Sequence, residues 1–126
     1  MLSVYSLPRT GPRVSRSFLL KMKTAVLGEA YELSVAFVTE SAMQKVNRIY
    51  RKKHSSTDIL SFSLSPHSGE ILFSMKDVKK RAPHFRRSAS NFISFLFIHG
   101  LLHLKGYAHG SRMERQEKKS RRRFKV

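Results

Sequence analysis

The chain has 126 residues, no cysteine, and 25 lysines and arginines against 8 acids, a formal net charge of +17 at neutral pH. That length allows one domain with one core, and the lack of cysteine excludes a disulfide framework and any thiolate metal site, so metal ligands must be histidine or carboxylate. So large a positive field draws polyanions, with nucleic acid the first candidate and an anionic membrane surface the second.

The elements follow in order. Leu2–Leu7 alternates apolar and small polar residues and predicts a strand that Pro8 ends. Residues 9–17 form a basic connection. Phe18–Leu27 predicts a helix with Phe18, Leu19, Met22 and Val26 inward, stopped at Gly28. No acid precedes Glu29, a composition that transit peptides share, but strand and helix patterns already use this segment. Tyr31–Thr39 alternates as a strand, and Thr39 or Ser41 can cap a helix with Met43, Val46, Ile49 and Tyr50 at helical spacing. That helix ends in the basic cluster Arg48, Arg51, Lys52, Lys53 and His54. Thr57–Leu64 and Gly69–Met75 predict two more strands, with Ile71 and Phe73 on one side of the second. Asp77 starts a short basic helix that Pro83 ends. Ser88–Ser90 leads into a long helix to about Lys105, apolar nearly all round from Phe92 to Leu104, the pattern of a helix at the centre of a fold. A last helix begins near Ser111 and frays into a basic tail at about 112–126, where eight of fifteen residues are basic. The order β-α-β-α-β-β-α-α-α predicts an α/β (α+β) fold: one domain over 1–126, a small mixed four-stranded sheet packed on helices, with the long helix central.

Three histidines stand out in Phe97–His109. His99 and His103 are four apart, so on a helix they share a face. Gly106 sits where the helix should end, and beyond that turn the chain can bring His109 back toward the first two. One histidine on an apolar face is usually a core residue, but three at this spacing suit a metal with an open fourth position. The spacing is that of the long zinc-protease signature with one gap: Gly100 stands where that signature has its general-base glutamate. A metal site is therefore expected, and peptide hydrolysis by that route is not.

Three blocks in series resemble the bacterial endoribonucleases of the YbeY type, metal-dependent proteins associated with ribosomal RNA maturation. Val46–Lys53 followed by Thr57–Phe62 is similar to the family's LN-x-x-YR-x-K…TDVLSF block, Gly69-Glu70-Ile71 to its GDI strand, and His99–His109 to its HG-x-LHL-x-GYDH block. The resemblance implies that His99, His103 and His109 bind one metal, most often zinc. It implies that Arg51 is the catalytic arginine near the cleft, in contact with RNA phosphate, with Arg48, Lys52 and Lys53 as further RNA-binding residues. It also implies a zinc-dependent endoribonuclease of single-stranded RNA, working in the cytoplasm with ribosomal RNA and the ribosome. Two departures bear on the site. Ala108 replaces the family's Asp before the last His, and if that Asp orients an imidazole its loss would weaken metal binding. His54-Ser55-Ser56 replaces a D-x-P turn.

On this reading the metal activates a water, or polarises the phosphate while the RNA's own 2′-OH attacks. Asp58 serves as a partner to a metal-bound histidine or as a turn cap. Glu70 is a candidate partner to a metal-bound histidine or a candidate general base, Glu114 and Glu117 are expected to offset the charge of the tail, and Tyr107 is expected to pack on the helix end. His67 and His84 are expected on surface loops. Two other readings compete. One is a non-catalytic RNA-binding assembly factor with a structural metal. The other is a metal-dependent hydrolase of another substrate, with Gly100 arguing against peptide.

Overall fold

A computed structural model describes residues 1–5, 14–53 and 55–126. Four strands, β1 (Leu2–Tyr5), β2 (Glu32–Val38), β3 (Ile59–Ser65) and β4 (Ser68–Ser74), form one sheet in the order β1-β2-β4-β3. The first three in that order run parallel, and β3 returns antiparallel beside β4 as an edge strand. The parallel pairs demand crossovers, and helices α1 (Arg16–Leu27) and α2 (Glu40–Arg51) supply the first two. Helices α3 (Met75–Arg81), α4 (Ala89–Lys105) and α5 (Ser111–Phe124) complete the fold, with a 3₁₀ turn over Ala82–Phe85. The mixed four-stranded sheet and the element order agree with the sequence.

Strand alternation divides the core between the two faces of the sheet. Leu33, Val35, Phe37, Ile71 and Phe73 face α1 and α4, where Leu19, Met22, Phe92, Ile93, Phe97, Ile98 and Leu101 close the larger core. Leu60 and Leu72 face the other way and meet Met43 of α2, with Ala36, Val38, Val46 and Phe62 around them. The near-uniform apolarity of α4 has its reason here. One flank meets α1, another the strands, and Met113 of α5 is buried against a third.

The helix starts are capped as short polar residues dictate. Ser15, Thr39, Ser74 and Ser88 each accept a backbone N–H of the first turn through the side-chain oxygen, which satisfies a donor the helix cannot. These caps correct two expected boundaries. Helix α1 begins at Arg16, two residues before Phe18, and α3 begins at Met75 because Ser74 rather than Asp77 opens it. Asp77 instead accepts the Ser74 hydroxyl at 2.5 Å from inside the first turn. Phe18 is half-buried, edge-on to Phe124 at 6.1 Å. Helix α5 continues to Phe124 rather than fraying early.

Two expectations at α2 are overturned. Ile49 and Tyr50 lie outward, 59% and 68% exposed, while Asn47 takes the inward position. Asn47 is tolerated there because its amide donates to the Ser55 carbonyl at 2.7 Å and its own backbone carbonyl ends the helix. On either side of residues 6–13, Leu2, Leu19, Met22 and Val26 are core residues, and Arg16 donates to the Leu2 carbonyl at 2.6 Å. Ser6 to Arg13, with the expected strand end at Leu7 and most of the basic connection, and His54 lie outside the described residues.

Candidate metal centre

His99 and His103 stand one turn apart on α4. Gly106 ends the helix in the left-handed conformation, φ 112°, which a side chain would strain, and its N–H closes onto the carbonyls of Leu102 and His103. Tyr107 follows and packs against the core, as expected, which turns the chain back toward α4. His109 therefore faces the other two rings. The ring centroids are 4.8, 5.3 and 4.7 Å apart for the pairs 99–103, 99–109 and 103–109. One nitrogen from each ring lies within 4.8 Å of the others.

The donor set fits a divalent metal. Zinc with bonds of about 2.0–2.1 Å asks for donors about 3.3 Å apart in a tetrahedral arrangement, a spread that small side-chain rotations reach from here. All three donors are imidazoles, the set of a catalytic site with a position left open. Burial holds His103 below the usual histidine pKa, and the neighbouring His99, His109 and Arg51 push the same way while Glu117 opposes them. The neutral ring, which is the ligating form, is thereby favoured.

The sequence missed one partner. Glu117, expected only to balance the charge of the tail, turns inward from α5 and places Oε1 2.7 Å from Nδ1 of His99. Nδ1–H donating to that carboxylate leaves the lone pair of Nε2 for a metal, which fixes both the ring and its tautomer. Arg121, one turn on, holds the other Glu117 oxygen at 3.4 Å. Ala108, where the family pattern has Asp, is exposed in the turn. The carboxylate beside the cluster thus comes from 18 residues beyond His99. The sequence carried only a weak signal for it: Glu117 lies four residues after Met113, on the same face, and Met113 is the buried anchor of α5.

Gly100 is explained by packing. A Cβ there would lie 3.0 Å from Cδ1 of Ile71 and 3.2 Å from Cδ1 of Ile59, tighter than ordinary contact, so the lack of a side chain lets α4 lie close against β3 and β4. A glutamate at this position, as in the zinc-protease signature, would press its Cβ on both isoleucines.

The histidines line a cleft of about 700 Å³ between α4, β3 and the end of α2. Tyr50 and Arg51 line it from α2, and Ile59 to Ser63 line it along β3. Arg51 is exposed, as are Arg48, Lys52 and Lys53. Of these four only Arg51 lines the cleft, the others standing on the surface around the end of α2. Lys52 adopts the left-handed conformation, φ 54°, and its N–H closes the helix onto Asn47.

Asp58 also borders the cleft but turns away from the histidines. It is buried, and Oδ2 accepts from Arg81 of α3 at 2.5 Å. Burial pushes its carboxyl above the usual aspartate range, with Arg81 and backbone N–H groups pulling the other way. Glu70 pairs across the sheet with Phe62 and Ser34, one residue out of step with Gly69 and Ile71, and so sits on the α2 face, opposite the histidine helix. It neither partners a histidine of the cluster nor lines the cleft beside them. His67 and His84 are exposed, as expected, in the β3–β4 turn and the 3₁₀ turn. No helix among the described residues is long and apolar enough to cross a membrane.

Known proteins of similar sequence and fold point the same way. The family model described as endoribonuclease YbeY matches residues 12–125. Endoribonuclease YbeY of Macrococcus caseolyticus is 31% identical over 110 residues, 78% of this chain and 71% of that protein. That of Phytoplasma mali is 36% identical over 99 residues, 76% of this chain and 67% of that protein. That of aster yellows witches'-broom phytoplasma is 36% identical over 110 residues, covering 80% and 75%. The solution structure of a Thermotoga maritima protein superposes with a TM-score of 0.67 over 98% of this chain and 89% of the other, at 24% identity, and has the same fold. The chain belongs to the endoribonuclease YbeY family.

Proposed function

We propose that this protein is a zinc-dependent endoribonuclease that cuts single-stranded RNA in ribosomal RNA maturation, in the cytoplasm and in contact with the ribosome. The observation that carries the reading is the convergence of three imidazoles in a cleft bordered by Arg51, in a chain whose relatives are named as endoribonucleases. His99, His103 and His109 would hold the metal, which supplies Lewis acidity at the scissile phosphate and a nucleophile at neutral pH.

The chain's own residues do the rest. Arg51 is the catalytic cation: its guanidinium reaches phosphate oxygens in the cleft and offsets the charge that develops on them. Glu117 holds His99 in the ligating tautomer, and burial keeps His103 neutral. Arg48, Lys52 and Lys53 carry the RNA backbone toward the cleft as point charges on the surface. A single strand suits the site because its phosphates and bases can enter a cleft that a duplex cannot.

The test is cleavage of a single-stranded ribosomal RNA fragment, with and without chelator, followed by zinc add-back. Cleavage that chelator abolishes and zinc restores, with loss in Arg51→Ala and His103→Ala, is the expected result. Tight, salt-sensitive binding with no cleavage under any of these conditions would replace the nuclease with an assembly factor whose metal is structural.

A further inference from the structure

We infer that Tyr50 is a stacking shelf for one nucleobase of the RNA, seated at the mouth of the cleft beside Arg51. This rests on the RNA reading above and adds to it a residue that binds the base rather than the phosphate.

Four observations meet at this ring. Tyr50 is 68% exposed, although it lies on a helix whose Met43 and Val46 turn inward. It is held in place, because Phe62 of β3 packs against it with centroids 5.2 Å apart and planes tilted by 56°. It lines the same cleft as the three histidines. Its neighbours in the chain are cations: Arg48, Arg51, Lys52 and Lys53 are all exposed around the end of α2.

An aromatic ring left in water forgoes the burial that would stabilise the fold, and a lone exposed tyrosine is ordinary. A ring propped by a second ring, bordering the cleft that holds three imidazoles and surrounded by positive charge, matches the two requirements of single-strand binding, cations for the backbone and π-faces for the bases. A protein partner would favour a broader apolar patch with fewer charges at its centre. Every base has a π-face, so the shelf tolerates sequence and places a strand in register without reading it. With Arg51 next in the chain, a base on Tyr50 brings an adjoining phosphate toward Arg51 and the histidines.

The experiment uses a short single-stranded oligoribonucleotide with 2′-O-methyl riboses, which blocks the 2′-OH route and whose integrity after each titration is checked on a denaturing gel, and a matched oligomer with abasic sites. The chain contains no tryptophan, so Tyr50→Trp introduces one reporter. Its emission is expected to be quenched on saturation with the base-bearing oligomer and unchanged with the abasic one. In fluorescence anisotropy, Tyr50→Ala is expected to weaken affinity for the base-bearing oligomer by about 5- to 150-fold, the range for removing one stack. It should bind the abasic oligomer as the parent does. Tyr50→Phe, which keeps the face, should bind like the parent. Equal affinity of Tyr50→Ala and the parent for the base-bearing oligomer, or an indole emission that stays unquenched at saturation in Tyr50→Trp, overturns the shelf and leaves the nuclease reading standing. A parent protein that binds neither oligomer at low salt overturns both. Circular dichroism of each variant confirms the fold, which the exposure of the side chain protects.

Discussion

Removing the Glu117 carboxylate perturbs the histidine cluster while leaving all three rings in place. Glu117 Oε1 and His99 Nδ1 are 2.7 Å apart, with the two side chains 16% and 29% exposed. A hydrogen bond to a charged group contributes about 1.5–3 kcal/mol, and this partial exposure places it toward the lower end. Losing a partner of this kind lowers metal affinity by about 10- to 100-fold, or about 1.4–2.7 kcal/mol, in the same range. Glu117→Ala is therefore expected to weaken zinc binding by about 10- to 100-fold, measured by competition with a chromophoric chelator at fixed pH. Glu117→Gln keeps an acceptor and removes the charge, so it should weaken binding only about 3- to 10-fold, since charge assistance accounts for roughly half of such a bond. Arg121 touches Glu117 at 3.4 Å from one turn away, and an i,i+4 pair of this type contributes about 0.3–0.5 kcal/mol. Arg121→Ala should shift zinc affinity less than about threefold. A folded Glu117→Ala protein that binds zinc within about twofold of the parent would refute the reasoning, because such a contact could not then be orienting a ligand.

Three further outcomes are expected. Gly100→Glu writes the zinc-protease signature into α4, but the new side chain meets Ile71 and Ile59 at the sheet; it should destabilise by about 3 kcal/mol or more in urea unfolding and yield no peptidase. Asp58→Asn keeps the acceptor and removes the buried charge. Because burial raises the folded pKa of Asp58, its contribution is full below the unfolded value of 3.8 and is lost as pH rises through the folded value. The stability of the parent relative to Asp58→Asn should therefore fall between acid and neutral pH; a rise across that range, read from unfolding midpoints, would mean that the Arg81 pair outweighs burial. Combined Arg48→Ala, Lys52→Ala and Lys53→Ala substitutions should reduce the slope of log affinity against log salt for single-stranded RNA by about 2, at about 0.7 for each phosphate left unneutralised; an unchanged slope would place the phosphates elsewhere.

Features that depend on near neighbours in the chain are legible in its residue pattern. The i,i+4 spacing put His99 and His103 on one helical face, Gly106 ended that helix, and Thr39 and Ser88 opened α2 and α4, because these features answer to the 3.6-residue repeat and to local hydrogen bonding. Alternation marked the four strands, and the all-round apolarity of α4 marked it as the centre. Which distant groups meet depends on how elements far apart in the chain pack together. Glu117 reaches His99 because α5 packs on α4 through Met113, and no local pattern encodes that distance. Asp58 was drawn to Arg81, 23 residues away, rather than to a histidine. Ile49 and Tyr50 have helical spacing yet face out, because Asn47 found a backbone partner at Ser55 and took the inward place. Gly100 reads in the sequence as a missing base, and the sheet shows it instead as the close approach that lets α4 hold its histidines over the cleft.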